Sequence, residues 1–401
     1  DEIHVPDFTA PVLISTSPAQ NSDKASANGN IVLTFDEKVQ AGTGEITLNG
    51  EALAPVFGSK TASFAYSGLT YGTPYEVIVP EGAIVDLSGN PFPGIILQFT
   101  TMERPRPNAK TFDAVVAADG TGDYTTVQAA IDAVPTGRTT PYLIFVKNGV
   151  YDGLVRIPED KPFIHLIGQD RDRTIIQYKI NSGGEDAGEN VWKYSCHNAE
   201  YHPLQDGGMV VKVSATDFYT ENISYINTWG VDEQAGPMAL AMNSPNDRQA
   251  FYRCSFRSYQ DTWQTTTKNI SDRHYVKDCY VEGAVDYIYG GGECLFETCS
   301  LYNARPGSVV TAASHKEGTK YGYVFESCTI DGVADNKDAL GRPWHDAPIV
   351  VYLNTIMKRI PKPEGWNTMG TIPKLFAEYN SMDVNGNPID LSNRRTEYSH
   401  G

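Results

Sequence analysis

The sequence predicts a mainly β protein: a right-handed parallel β-helix preceded by a small N-terminal β-sandwich of immunoglobulin type. Three observations carry that reading. A strand motif centred on cysteine recurs at Cys254, Cys279, Cys299 and Cys328, in steps of 25, 20 and 29 residues. Glycine and tyrosine are plentiful, at 36 and 23 of 401 residues, while helix-favouring runs of Ala, Leu, Glu and Lys are scarce, which favours β structure. The first hundred residues break into short apolar runs divided by turn signals.

Those early runs are Ile31–Phe35, Glu45–Leu48, Tyr75–Val79 and Ile95–Phe99, with Asn49-Gly50 and Ser88-Gly89-Asn90-Pro91 between them. Short strands at this density suggest a sandwich over residues 1–101. The block resembles the bacterial Ig-like modules that precede extracellular enzymes. It holds no cluster of catalytic residue types, so a spacer, a weak glycan contact and a fold-stabilising appendage all stay open. Glu103-Arg104-Pro105-Arg106-Pro107-Asn108 reads as an extended linker within 102–110, stiffened by its prolines.

The remainder, 111–401, is expected to be one domain. It opens with a strand at Ala114–Ala117 and a turn at Asp119-Gly120-Thr121-Gly122-Asp123. That turn lacks the further Gly or Lys of a phosphate-binding loop. Val127, Ala130, Ile131 and Val134 fall at i, i+3, i+4, i+7, predicting one short amphipathic helix ended by Pro135. Strands follow at Tyr142–Val146, Phe163–Ile167 and Thr174–Ile176, with almost no further helix before the C-terminal tail.

The repeat then takes over. Phe251-Tyr252-Arg253-Cys254-Ser255-Phe256 matches Val276-Lys277-Asp278-Cys279-Tyr280-Val281, Phe296-Glu297-Thr298-Cys299-Ser300-Leu301 and Phe325-Glu326-Ser327-Cys328-Thr329-Ile330. A weaker copy puts Ile223 in the Cys slot. Strand repeats of this length indicate a solenoid. The offset of three from the first apolar residue to Cys breaks strand alternation and predicts a bend there; period two resumes after Cys. Coils stacked about 4.8 Å apart would form an internal ladder of small, buried, reduced thiols. The absence of a CxxC pair argues against zinc. The early helix would cover one open end of the coil stack, and Leu375–Tyr379 with the tail would pack on the side or the far end.

A formal net charge of −17 argues against nucleic acid as a partner, since phosphate binding needs a basic face, and would repel a fully anionic polymer. A neutral or partly neutral substrate that becomes acidic on reaction fits better. No run of about 18 apolar residues exists to span a membrane. The chain begins at Asp1, not Met, which suggests that a targeting segment was removed and that the protein is secreted, periplasmic or displayed on a bacterial cell surface. A monomer is expected.

The candidate chemistry lies in the repeat. Asp261, in Tyr259-Gln260-Asp261-Thr262, and Asp286, in Gly283–Gly290, sit one coil apart. Each could be a turn residue capping its own backbone. Two carboxylates brought together would instead push their pKa values apart, leaving one acid and one nucleophile. Arg342 offers a fixed cationic fork, and Gln260 an amide donor for an oxyanion. Trp263, Tyr289 and Trp344 offer flat faces for sugar rings, with ordinary packing as the alternative for each.

Tyr259–Thr262, Gly283–Gly290 and Leu340-Gly341-Arg342-Pro343-Trp344 resemble the three signature motifs of pectin methylesterases, carbohydrate esterase family eight. Asp119–Tyr124, Lys147–Tyr151 and Phe376–Asn380 add supporting matches, and the resemblance runs in order over about 110–395. It implies a parallel β-helix acting on pectin polysaccharide with no metal or cofactor. It implies that Asp286 attacks the C6 methyl ester of a galacturonate. Asp261 would protonate the departing methanol and then activate water against the acyl-enzyme. Gln260 would donate to the oxyanion, Arg342 would orient the nucleophile, and Trp344 would contact the sugar.

The match has gaps. Where the family has Gln-Ala-Val-Ala-Leu, with its Gln a second oxyanion donor, this chain has Gly236-Pro237-Met238-Ala239-Leu240; Gln234 could substitute if the loop bulges. Gly153 replaces a frequent Glu. An insertion from about Asn181 to Gly208, with Trp192, Tyr194, Cys196, His197, His202 and Asp206, is no family motif. Neither are the residues added near Thr265–Ile270. The rival readings are a β-helix polygalacturonase or lyase, and a glycan-binding surface protein on a scaffold that has lost catalysis.

Overall fold

A computed structural model of the chain describes residues 7–103, 112–182, 208–266, 269–395 and 397–398. Two units emerge, residues 1–110 and 111–401. Most of the expected linker, Cys196 and the interior of the 181–208 insertion lie outside the described residues.

In the first unit, Gly29–Phe35 buries every second side chain, as a strand with one face on a core must. It stands between Leu13–Ser17 and Thr61–Tyr66 in an antiparallel sheet closed by Pro55–Phe57. A second sheet runs Ser22–Ala25, Ile95–Thr101, Pro74–Val79, Thr47–Leu48, Glu51–Ala52. Ile31, Leu33 and Phe64 from the first sheet share one core with Val77, Leu97 and Phe99 from the second, which makes the unit a sandwich. Asn49 and Gly50 join the last two strands with φ of 48° and 87°. Both positive values are what an Asn-Gly hairpin turn requires.

The second unit winds through three parallel sheets of ten, nine and seven strands. One coil shows the pattern: Arg273–Lys277 in the first sheet, Tyr280–Gly283 in the second, Ile288–Gly290 in the third. This is the parallel β-helix expected. In the first sheet Phe251, Val276, Phe296, Phe325 and Tyr352 stack in register. In the second, Tyr225, Phe256, Val281, Leu301, Ile330 and Met357 do the same. Both columns face one continuous core.

The bend sits where alternation failed in the sequence. Asn222, Arg253, Asp278, Thr298, Ser327 and Asn354, each just before the Cys slot, have φ between 51° and 54°. One left-handed residue turns the chain from the first sheet into the second. Cys279, Cys299 and Cys328 then point inward, and each thiol donates to a carbonyl one coil back, on Phe251, Val276 and Phe296, at 3.5, 3.4 and 3.3 Å. The five described cysteines are free. Cys294 stands outside the ladder, against His274 Nδ1 at 3.5 Å.

Helix α1 spans Val127–Ala133, with Thr126 as N-cap and Val127, Ala130 and Ile131 buried. Its Gln128 accepts from the Arg156 N–H at 2.7 Å and donates to the Arg156 carbonyl at 3.1 Å. Arg156 lies on the edge strand of the seven-stranded sheet, so the helix satisfies the open edge as well as covering it. At the far end Leu375–Tyr379 is the last strand of the first sheet, paired with Ile349–Leu353. Tail residue Arg394 locks it through a buried ion pair to Glu378 at 2.6 Å. One short further helix, α2, spans Thr228–Glu233, capped by the Asn227 side chain. Six residues are too few for apolar periodicity to show.

Candidate active site

The turns from the second sheet to the third carry the acids. Gln260 bridges to Val285 of the next coil, the Asp261 N–H donates to the Val285 carbonyl at 2.9 Å, and the Ala284 N–H to the Tyr259 carbonyl at 2.7 Å. Asp261 and Asp286 therefore occupy equivalent places on adjacent coils. Both are left-handed, at φ 61° and 50°, a conformation that Asp tolerates better than most side chains. Gly283 lets the second turn close: a Cβ there would stand 2.2 Å from that of Tyr287.

Arg342 reaches Asp286 with a two-pronged contact, Nε to Oδ1 at 2.7 Å and Nη2 to Oδ2 at 2.5 Å. The arginine sits two coils further on, in Ala339–Pro343. The register runs Tyr289, Ala312, Arg342, and the small Ala312 leaves the guanidinium a path back to Asp286. Asp261 and Asp286 are 6% and 8% exposed. Burial raises the pKa of both. For Asp261 the Asp286 charge adds to the rise, and its pKa lies well above the usual carboxylate range. For Asp286 the Arg342 hydrogen bonds and charge oppose the rise. No hydrogen bond or ion pair reaches the Asp261 carboxyl among the described residues. A single proton shared by the pair therefore belongs on Asp261, and the negative charge on Asp286. Both Asp286 oxygens accept from the guanidinium.

The structure brings together Asp261, Asp286, Gln260 and Arg342. A Cβ added at Gly236 would stand 3.0 Å from Gln260 Oε1, so the position where the family pattern has its other Gln does lie on the site, empty of a side chain. Gln234 is elsewhere in conformation: it is the exposed, left-handed C-cap of α2, its N–H bonded to the Gly230 carbonyl.

Two aromatic expectations need correction. Trp263 is fully buried among Phe251, Phe256 and Phe296, with its indole N–H on Ser244 Oγ at 2.7 Å; it is core and offers no face to a sugar. Tyr289 is 2% exposed. It lies edge-on beneath Trp344 at 5.9 Å, in an apolar cluster with Met209, Met238, Leu240 and Ala312. Trp344 remains partly exposed over that cluster. Sequence reasoning missed this apolar floor, because its members come from separate coils and share no local pattern.

A buried carboxylate held by a guanidinium lies one coil from a second buried carboxyl, with the Gln260 amide next to it in the chain. A family model described as Pectinesterase matches residues 113–396, and one described as Bacterial Ig-like domain matches residues 7–101. The chain belongs to the pectinesterase family. "Pectinesterase" from Petunia integrifolia is 30% identical over 289 residues, 68% of this chain and 71% of that relative. "Probable pectinesterase/pectinesterase inhibitor 21" from Arabidopsis thaliana is 29% identical over 297 residues; the match spans 71% of this chain and 41% of that relative's length. Among solved structures, "Pectin methylesterase from Carrot" superposes with a TM-score of 0.60 at 27% identity, over 73% of this chain and 88% of its own.

Proposed function

We propose that this chain hydrolyses methyl esters on galacturonate residues of pectin and releases methanol. Family membership supports the reaction class. The observation that carries the assignment of roles is the asymmetry of the acid pair: Asp286 is doubly bonded to Arg342, while Asp261 has burial and a neighbouring charge but no cation of its own.

An ionised Asp286 oxygen attacks the C6 ester carbon. The carbonyl electrons move to oxygen, where the Gln260 amide donates a hydrogen bond. The tetrahedral intermediate collapses, its C–OCH3 bond breaks, and Asp261 gives its proton to the leaving oxygen, forming methanol. The sugar is left as a mixed anhydride on Asp286. Asp261, now ionised, takes a proton from water as that water attacks C6. The anhydride bond breaks, Asp286 leaves as carboxylate, and the galacturonic acid product ionises to solvent. Trp344, over its apolar floor, is suited to a sugar face.

Asp286→Asn tests this: methanol release from methylated pectin is expected to fall by at least about 10⁴-fold with the unfolding midpoint retained. Near-full activity would remove Asp286 from the role. One observation favours a second reading, glycan binding without turnover. Losing an oxyanion donor costs about 2.7–4 kcal/mol, and Gly236 supplies no side-chain donor. Tight binding of methylated oligogalacturonides by the parent protein, with no methanol produced, would select that reading. We also propose a monomer acting outside the cytoplasm, secreted, periplasmic or at the cell surface, a reading supported by the polymeric substrate and by the Ig-like first unit.

A further inference from the structure

We infer that Asp338, acting through Asn303 and Tyr287, holds Asp286 in position against Arg342, an assignment that rests on the esterase reading above and adds three positioning residues to the four that reading uses.

A line of buried polar side chains runs behind the acid site. Tyr287, Asn303 and Asp338 are 0%, 2% and 3% exposed. The Tyr287 hydroxyl donates to Asn303 Oδ1 at 2.9 Å, and Asn303 Nδ2 donates to Asp338 Oδ2 at 3.0 Å. Asp338 Oδ1 accepts from the Gly307 and Ser308 N–H groups at 2.8 and 3.0 Å. The Asp338 oxygens thus face three N–H donors, so Asn303 turns its amide nitrogen to Asp338 and its oxygen to Tyr287. Glycines clear the space for this line. Asn303 lies in register between Gly283 and Gly332. A Cβ on Gly332 would stand 2.7 Å from that of Asn303, and one on Gly283 only 2.2 Å from that of Tyr287.

The ends of the line matter most. Tyr287 directly follows Asp286, and Asp338 directly precedes Ala339–Pro343, the strand that carries Arg342. The buried line and the Arg342–Asp286 contact therefore cross the same two coils, one inside the wall and one outside. The middle coil supplies Asn303 to the inner link and the small Ala312 beneath the outer one. A backbone bond ties the acid turn to the coil before it, from the Trp263 N–H to the Tyr287 carbonyl at 2.9 Å; the buried line ties it to the coils after. The residue that follows the other acid is anchored forward as well: Thr262, fully buried, donates to the Glu282 carbonyl of the next coil at 2.8 Å. A two-pronged guanidinium contact has fixed geometry and tolerates little sliding of one coil on another. Apolar side chains of similar size would fill the same space without burying polar groups, so packing alone does not call for these three.

Tyr287→Phe removes one oxygen and keeps the packed ring. The kcat/KM for methanol release from methylated pectin should fall about three- to tenfold, through kcat with KM kept. The acidic limb of its pH profile should move up by about half a unit, because a loosened Arg342 opposes the effect of burial on Asp286 less well. Asp338→Ala should do the same, and the double variant no more than the larger single, since both cut one line. Asp338→Asn keeps an oxygen for Gly307 and Ser308 and, with the Asn303 amide turned over, an unbroken line to the Tyr287 oxygen; it should recover most of the rate and return the limb. An acidic limb unmoved in Tyr287→Phe, or losses that add in the double variant, would overturn the assignment and leave the three residues a brace for the fold. Should Asp338→Ala not fold, Tyr287→Phe still decides. A parent protein that releases no methanol refutes the esterase reading alone. Asp286 ionisation, followed by NMR of ¹³C-labelled aspartate carboxyls and identified by its loss in Asp286→Asn, then carries the test: an upward displacement in Tyr287→Phe supports the assignment, and an unmoved titration refutes it.

Discussion

The β-helix turns two of its corners with the same backbone device and uses them for opposite ends. At the corner between the first and second sheets, one left-handed residue per coil donates its N–H to the next coil: Arg253 to the Lys277 carbonyl, Thr298 to Glu326, Ser327 to Leu353, each at 2.9 Å. At the corner between the second and third sheets, left-handed Asp261 donates to the Val285 carbonyl, also at 2.9 Å. Along the first corner the left-handed side chain changes freely, from Arg to Asp to Thr to Ser, while the next residue stays a buried thiol. Along the second, the turns differ in length and the left-handed residue is an aspartate on both acid-bearing coils. A repeated strained turn is therefore scaffold. It becomes a site only where the strained residue carries a charge that burial forces to one side of its titration.

The largest way to break the contrast is to neutralise the charge and keep the turn. Asp261→Asn should lower kcat about 10²- to 10⁴-fold, measured as methanol release, because no proton is then available for the leaving group. It should also change stability with a definite sign. Burial raises the folded pKa of Asp261 above its unfolded value, near 3.9. The stability this group contributes is thus fully present below the unfolded pKa and is lost as pH rises through the folded one. The variant stays neutral, so it should be the more stable protein at alkaline pH, with the gap closing toward about pH 4. A gap that widens on acidification would mean that Asp261 is held ionised in the folded state.

Next in size is the contact that separates the two acids. Arg342→Gln removes the group that opposes the rise in the Asp286 pKa. It leaves a buried carboxylate without its partner, a loss of about 3–5 kcal/mol when charged. The expected result is a fall of about 10²- to 10³-fold in kcat/KM, with the acidic limb of its pH profile displaced upward. An acidic limb that stays in place would show that Asp286 is not the group whose ionisation the reaction needs.

The same contrast explains what could be read from the sequence. The first corner was legible because it repeats: the apolar-to-Cys offset exposed the bend, and the thiols marked the inward side. The acids were legible because each stands in an unusual apolar setting. The facing of their neighbours was not. Trp263 lies two residues after left-handed Asp261, and the bend resets the phase of alternation, so Trp263 pairs with Met242 and Ile288 on the inner face while Gln264 aligns with Tyr289 outside. A shift of one residue moves every side chain to the other face, and composition alone does not fix that phase. Tyr289 does face outward, but Trp344, more than fifty residues later, lies over it. The contact from Arg342 to Asp286 likewise depends on Ala312, a residue with no chemistry to draw attention.

At the first corner a chemical change should cost stability and nothing else. Cys299→Ala deletes a thiol that donates to the Val276 carbonyl at 3.4 Å and leaves a small void in a close-packed ladder. The unfolding free energy should fall by about 1–2 kcal/mol, read from denaturant titration, with methanol release unchanged. The five described thiols should likewise resist thiol reagents until the protein unfolds, since each is buried.

The smallest effect sharpens the comparison most, because it makes one backbone change at both corners. Arg253 is exposed and left-handed at φ 51°. Glycine relieves a conformational cost of about 1–2 kcal/mol but returns about 0.5–1 kcal/mol of entropy to the unfolded chain. Arg253→Gly should therefore shift stability by no more than about 1 kcal/mol, toward the folded state, and leave turnover intact. Asp261→Gly makes the same exchange at φ 61° and should leave the coil equally well folded while abolishing methanol release. If Arg253→Gly also lost activity, the first corner would be transmitting strain to the site, and the separation of scaffold from chemistry drawn between the two corners would fail.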